Sequence, residues 1–487
     1  MAFTSFPFLV FFGCFFLIYY LCARSSKAMW QNMVILLGSY FFYGFTDIRM
    51  VPLLLCATIV FYFIGIGIEQ SKEKISAFFN VLGIVLGVSL LVYFKYLNFF
   101  IESFAQLFNN IGLNVNYHTF KIIMPLGLSF FTFKLISYCI ELYRGTISAT
   151  RDFIAFSSYI AFFPTIVSGP IDRPQHFLPQ LNKVRRFDYA MATDGCKQVL
   201  WGLLKKMLIA DSLAIFVNDC WSSGFQNQST LTLVAIMLLY PLQMYMDFSG
   251  YSDMAIGIGK IMGMKVAKNF KYPFFGRNIA EFWRNWHMSL TSWMTDYIFI
   301  PLSLSWRKWK KTGTCLAIFV TFVLVGLWHG ANWTYVVYGS YHGLLFVPLM
   351  ISGAFTRNTE ISLNRKGLPK LLEAGKMLLT YLLVAIGLII FGLPSMSDVC
   401  NYFTCIFTNY SLGGWTVIKS GSAAVAVLIA VLIIVYEWFN RKREYAFHLP
   451  EFSILKYSWV RCLIYALLVL LVYFYAPTSS SFIYAQF

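Results

Sequence analysis

The stretch "GLWHGANWTYVVYGSYHG", Gly326–Gly343, lies inside a run, Thr312–Thr356, that contains no Asp, Glu, Lys or Arg. A membrane-crossing helix needs roughly 20 apolar residues, so this run is long enough for two. Yet it holds His329, Asn332 and His342. Polar groups in hydrocarbon are costly, so each is a candidate for function, with burial against a partner as the alternative.

The rest of the chain expects the same solvent. It is 59% hydrophobic and 12% charged, with 50 Phe among 487 residues. Soluble domains sit nearer roughly 45–50% apolar and about 25% charged. The clearest uncharged runs are Met1–Ala23, Ala28–Thr46, Ile75–Phe94, Phe153–Ile171, Met377–Ser397, Val399–Ile418, Ser420–Tyr436 and Cys462–Phe487. With two spans in the longest runs and weaker candidates elsewhere, these patterns predict about eleven to thirteen membrane helices. The expected class is an all-α polytopic membrane protein. The first run lacks a basic n-region and an A-x-A-like site, so it reads as a retained span and not as a signal peptide.

Net charge is +17, and the basic residues gather in short loops: Arg307, Lys308, Lys310 and Lys311; Arg365, Lys366 and Lys370; Arg441, Lys442 and Arg443. Such loops face the cytoplasm, which predicts an extracytoplasmic N-terminus and attraction to anionic lipid headgroups. Clusters that flank spans do not make a nucleic-acid face. Ten scattered cysteines without a C-x-x-C pair read as small buried hydrophobes, and no metal site is expected. The charged segment Arg357–Lys370 is the one seam. It divides residues 1–356, whose chemistry concentrates in 240–345, from C-terminal helices over 357–487.

Three further clusters put polar groups where lipid should be. "PTIVSGPIDRPQHFLPQL" (Pro164–Leu181) has four prolines and cannot form one regular helix. "MYMDFSGYSDMAIGIG" (Met244–Gly259) holds Asp247 and Asp253, readable as helix caps, as Arg partners or as a proton relay. "KNFKYPFFGRNIAEFWRNWHMSLTSWMTDYIFIP" (Lys268–Pro301) mixes Arg and Trp in the manner of interfacial helices. There Glu281 and Arg284 are spaced to pair on a helix, with His287 three residues further on the same face. Gly326 and Gly330 around His329 suit a broken helix where backbone comes close to something, which membranes tolerate only inside protein or beside a cavity. If the turn continues as helix, Asn332 shares the face of His329 and can orient the ring or a substrate. A neutral imidazole exists at pH 7 and can deprotonate a hydroxyl, a contribution of roughly 10²–10⁴ in rate. Helix–helix hydrogen bonding explains His329 and His342 without chemistry.

No Walker loop, G-x-S-x-G elbow, H-E-x-x-H or dinucleotide fingerprint is present. A proton-coupled carrier and a non-enzymatic scaffold of a polysaccharide-export complex remain as alternatives. The carrier lacks support from any similarity between the chain's halves.

Together with "PLGLSFFTFKLISYCIELYRG" (Pro125–Gly145), "SYIAFFPTIVSGPIDRP" (Ser158–Pro174) and "NFKYPFFGRNIAEFWRNWHMSLTSWMTDYIFIPL" (Asn269–Leu302), these motifs resemble the membrane-bound O-acyltransferase superfamily, in particular its alginate O-acetyltransferase branch. The resemblance implies that superfamily's fold, with re-entrant and interfacial helices around a central tunnel. It implies transfer of an acyl group, by preference acetyl, from a cytoplasmic thioester across the membrane toward hydroxyls of an exported polysaccharide or a partner protein. His329 of "WHG" matches the catalytic position and His287 the second histidine, with Trp328, Asn332, Asp296 and Arg284 in binding or supporting roles. Acetyl-CoA or an acyl carrier protein would be the donor, with nothing bound covalently. The implied partner is an extracytoplasmic acetyltransferase of the SGNH type (AlgJ- or AlgX-like), in a bacterial inner membrane. D-alanyl transfer to teichoic acid, by a DltB-like enzyme, is the alternative.

Overall fold

The computed structural model describes residues 1–356, 361–410, 421–447 and 457–475. The expected seam at 357–370 begins outside these residues, as do the ends of the runs Val399–Ile418 and Cys462–Phe487. Among the described residues every regular element is a helix. The chain forms two compact units: Met1–Cys196 with Ala255–Ala267, and Lys197–Met254 with Lys268–Phe487.

The first unit contains α1 (Phe6–Cys22), α2 (Ala28–Gly44), α3 (Val51–Gln70), α4 (Glu73–Leu91), α5 (Leu97–Asn110), α6 (Leu128–Tyr143), α7 (Phe153–Ala161), α8 (Phe163–Ile166) and α9 (Pro174–Leu181). A π turn, Val92–Tyr96, joins α4 to α5 without interrupting the rod. Helix α4 shows how a membrane inverts the usual pattern. Phe78, Val81, Val85 and Val88 form an exposed apolar stripe for lipid, while Asn80, Gly83, Gly87 and Leu91 face inward. The two glycines are spaced i, i+4, and a Cβ on either would run into α6, at 2.7 Å from Cys139 Sγ and 2.6 Å from Ile136 Cγ1. Close approach through small residues replaces the hydrophobic drive that lipid cannot supply.

The run Phe153–Ile171, expected as a span, is not one. Helix α7 ends at Ala161, Phe162 takes φ −46° and ψ 107°, and Pro164 sits in the first turn of α8. Residues 155–166 are buried throughout, so their apolarity serves the protein interior and not lipid. Likewise Val399–Ile418 begins as a short helix, α20 below, that ends at Thr408.

Helix α10 (Tyr189–Leu203) leads into the second unit through a π turn, Leu204–Ala210, and α11 (Asp211–Ser222). There follow α12 (Thr230–Ile261), the short helices α13 (Ile279–Asn285), α14 (Met288–Met294) and α15 (Ile300–Ser305), then α16 (Lys310–His329), α17 (Trp333–Leu345), α18 (Val347–Ile351), α19 (Leu371–Gly392) and α20 (Met396–Thr408). Helices Gly421–Asn440 and Ser458–Tyr475 complete the described chain. By length and composition, seven helices among the described residues can cross a membrane, and two shorter apolar ones, Phe6–Cys22 and Ser458–Phe474, accompany them. The chain is a multi-pass membrane protein. Fewer helices qualify than the uncharged runs suggested, because several runs are spent on short or broken helices that pack inside.

Helices α16 and α17 form the hairpin that carries the opening motif. A Cβ at Gly326 would lie 2.1 Å from the Tyr335 carbonyl oxygen, and one at Gly339 would lie 2.2 Å from the Phe322 carbonyl oxygen. Each helix thus presents a glycine to the other's backbone. Sequence reasoning had Gly326 and Gly330 making room for a passing substrate arm. The structure corrects this: the neighbour is α17, with the Tyr335 ring 2.2 Å from where a Gly330 Cβ would stand.

Candidate active site

Helix α16 begins at Lys310 and Lys311 and ends at His329. At 1.5 Å per residue this is about 30 Å, the thickness of the hydrocarbon core. His329 therefore occupies the end opposite the basic one. The helix stops because Gly330 is extended (φ −172°, ψ 161°) and Asn332 starts α17.

Asn332 is that helix's N-cap. Its Oδ1 accepts from the Thr334 N–H at 3.0 Å, and its Nδ2 donates to the Pro394 carbonyl at 2.7 Å. The continuing turn that would have aligned Asn332 with the His329 ring is absent, so its amide fixes the shape of the break.

His329 is 4% exposed. Its ring meets Trp328 at 4.9 Å, Phe391 of α19 at 5.0 Å and Tyr338 of α17 at 6.3 Å, all edge-on. On the other side of Trp328, at 5.6 Å, lies His287. The structure thus brings together His287, Trp328 and His329, three of the residues singled out by sequence. Tyr338 and Phe391, which complete the wall, carried no sequence signal beyond being aromatic.

His287 lies between α13 and α14 with φ 43° and ψ 50°, in the left-handed region. Histidine is enriched there relative to most residues, but the conformation still costs about 1–2 kcal/mol. Its carbonyl accepts from Thr291 N at 2.9 Å, and its ring is edge-on to Phe248 at 4.6 Å. Burial pushes the imidazole down to about 3, so the ring is neutral at pH 7. The expected shared face of Arg284 and His287 does not exist, because α13 ends at Asn285 and Trp286 is extended. Arg284 is exposed, with Nη2 donating to the Phe355 carbonyl at 2.6 Å, whereas His287 is 1% exposed. Glu281 turns both oxygens to Arg277, at 2.7 and 3.0 Å. Asp296 is half-buried on the π turn Thr295–Phe299.

His342 is held by Trp283, whose Nε1–H donates to Nδ1 at 3.3 Å. The helix–helix bond weighed for His342 is therefore present, between α13 and α17.

Asp247 and Asp253 pair with lysines, not with Arg or helix termini. Lys206 Nζ lies 2.6 Å from Asp247 and 2.8 Å from Asp211. Lys205 Nζ lies 3.0 Å from Asp253 and 3.3 Å from Glu437, and Glu437 also accepts from the Tyr245 hydroxyl at 2.9 Å. Sequence reasoning missed both lysines and Glu437.

Two cavities flank α13. One, of about 240 Å³, is apolar and runs beside α16 along Ile318, Phe322 and Val325. The other, of about 420 Å³, is lined by Lys271, Arg277, Arg284 and Arg441, with Glu281 the one acid.

Residues 35–372 match the model of the MBOAT, membrane-bound O-acyltransferase family. The chain is 34% identical to the protein named "Probable alginate O-acetylase AlgI" of Pseudomonas aeruginosa, over 90% of this chain and 80% of that one. It is 29% identical to the peptidoglycan O-acetyltransferase of Helicobacter pylori, over 69% of this chain and 67% of that one. With the teichoic acid D-alanyltransferase of Bacillus subtilis it shares 33% identity, over 46% of this chain and 58% of that one.

Proposed function

This chain belongs to the membrane-bound O-acyltransferase family, and on that premise we propose that it moves an acetyl group from a cytoplasmic thioester to a hydroxyl beyond the membrane, with His329 as general base. The observation that carries the reading is the position of His329. It lies at the end of a membrane-length helix, in a break fixed by Asn332, with Trp328 between it and His287.

The chemistry needs few groups. An acceptor oxygen attacks the thioester carbonyl carbon while its proton passes to the neutral His329 ring. The C–S bond then breaks, and the departing thiolate recovers that proton from the imidazolium. A ring walled by Trp328, Tyr338 and Phe391 excludes bulk water, which limits hydrolysis of the donor. His287, neutral and packed against Trp328, supports that wall and acts as the second histidine of the site.

Acetyl is preferred over D-alanyl because the alginate-type relative matches 90% of the chain and the D-alanyl relative 46%. The acceptor would be an exported polysaccharide, reached directly or through an SGNH-type (AlgJ- or AlgX-like) subunit outside the inner membrane. Acetyl-CoA or an acetylated carrier protein would deliver the group at the basic, cytoplasmic end.

Purified protein in lipid nanodiscs with radiolabelled acetyl donor tests this. His329→Ala should abolish transfer while insertion and thermal unfolding stay as in the parent. Transfer that survives in the variant would remove His329 from the chemistry.

A further inference from the structure

The two cavities beside α13 share one lining residue, Arg284. One is basic and the other apolar, and the apolar one points along α16 toward His329. We propose that together they form the seat of a phosphopantetheine thioester, with the phosphate in the basic cleft, the arm in the apolar slot and the acyl carbon carried toward His329. This rests on the acyl-transfer reading above and names the donor's site within it.

The cleft's charge selects an anion. Arg277 is committed to internal acids: Glu281 takes its Nε and Nη2, and Glu373 takes its Nη1 at 3.0 Å. That leaves Lys271, Arg284 and Arg441 lining the same cavity with no acid but the already paired Glu281. Lys271 is exposed, and Arg441 lies flat on Trp438 at 4.1 Å, with Nη1 donating to the Trp438 carbonyl at 2.6 Å. Three cations around about 420 Å³ suit a phosphate better than a carboxylate, since its additional charge and oxygens can engage several donors at once.

The slot suits a slender chain. Trp283, Met294, Phe299, Ile318, Phe322 and Val325 make it apolar, and the hydroxyls of Thr295 and Thr321 are turned back onto their own helices, donating to the Thr291 and Ala317 carbonyls. Ile318, Phe322, Val325 and His329 follow the i, i+4, i+7, i+11 rule for one helix face. The last slot residue, Val325, is one turn, about 6 Å, short of His329. A single rigid helix thus runs from the slot to the proposed base, on the side where the chain's basic loops lie.

Free CoA and the prosthetic arm of a carrier protein present the same phosphopantetheine. The probes are therefore pantetheine, 4′-phosphopantetheine and CoA, binding to the His329→Ala protein in phosphatidylcholine nanodiscs, where no turnover depletes them. Phosphopantetheine should bind roughly tenfold more tightly than pantetheine, an advantage that falls with salt and disappears in Lys271→Gln/Arg441→Gln. CoA tighter than phosphopantetheine assigns free CoA; equal affinities assign a carrier's arm. If the double variant misfolds, Arg441→Gln alone together with the salt dependence of the parent gives the same reading. The site is refuted if phosphopantetheine binds no better than pantetheine, or if its advantage survives the substitutions. An anionic phospholipid that copurifies with the parent and is lost from the double variant, with phosphopantetheine's advantage intact, would assign the cleft to a headgroup and overturn the proposal. None of these outcomes depends on His329 being the base, which the transfer assay tests separately.

Discussion

Lys206 Nζ stands 2.6 Å from one Asp247 oxygen and 2.8 Å from one Asp211 oxygen, all three side chains buried. One cation holding two carboxylates is asymmetric under mutation. Lys206→Met strands two buried acids, and breaking such a network by removing one partner costs about 3–5 kcal/mol. Asp247→Asn leaves Lys206 with Asp211, a matched pair, and should cost clearly less. Thermal unfolding of both variants in lipid measures the difference. Asp247→Asn should also retain acyl transfer, as a structural ion pair requires; loss of transfer with stability intact would revive the proton-relay reading of Asp247.

His287 gives stability a pH dependence of known sign. Its folded value is about 3, below the ordinary value near 6.5, so the unfolded chain binds the extra proton between these limits. The contribution is complete above about pH 6.5 and is lost as pH falls toward 3, at up to about 1.4 kcal/mol per unit. The difference in unfolding free energy between the parent and His287→Gln should thus shrink on acidification through this window and stay flat above it. A constant difference from pH 7 to pH 4 would contradict the burial that causes the shift.

Asn332 is expected to act through the backbone. Asn332→Ala removes the α17 cap and the bond to the Pro394 carbonyl, at a cost of about 1 kcal/mol for the cap. Transfer should fall because the break that carries His329 loosens, and Asn332→Asp, which keeps the capping oxygen, should recover part of it. Equal loss in both variants would favour direct contact between the amide and a substrate.

These contrasts mark what the sequence made legible. The membrane class follows from composition, and His329 stands out because an imidazole in an uncharged run needs a reason. Its pairing with His287 across Trp328 was not legible, because it depends on a chain reversal at Trp286 and His287 that a helical face count runs straight through. Asn332 was placed on the right turn with the wrong task, since a face count assumes that the helix continues where Gly330 stops it. Lys205 and Lys206 escaped notice altogether. In "LLKKML" two adjacent lysines read as the edge of a span, and only the packing of α12 and Gly421–Asn440 against the π turn turns them inward to Asp247, Asp253 and Glu437.

Gly387 of α19 offers a separable test of how the histidine layer is held. A Cβ there would lie 2.6 Å from His342 Nε2, so Gly387→Ala must push the imidazole and strain its bond with Trp283. Overpacking of this kind costs about 1–3 kcal/mol. The obstacle is a side chain, so His342→Ala should absorb the new methyl, and the double variant should be less destabilised than the sum of the singles. Gly326→Ala makes the control. Its methyl meets the Tyr335 carbonyl, which is backbone, so no truncation of a side chain on α17 should relieve it. Thermal unfolding of the double-mutant cycle decides: additivity at Gly387 and His342 would mean that the two do not touch as described.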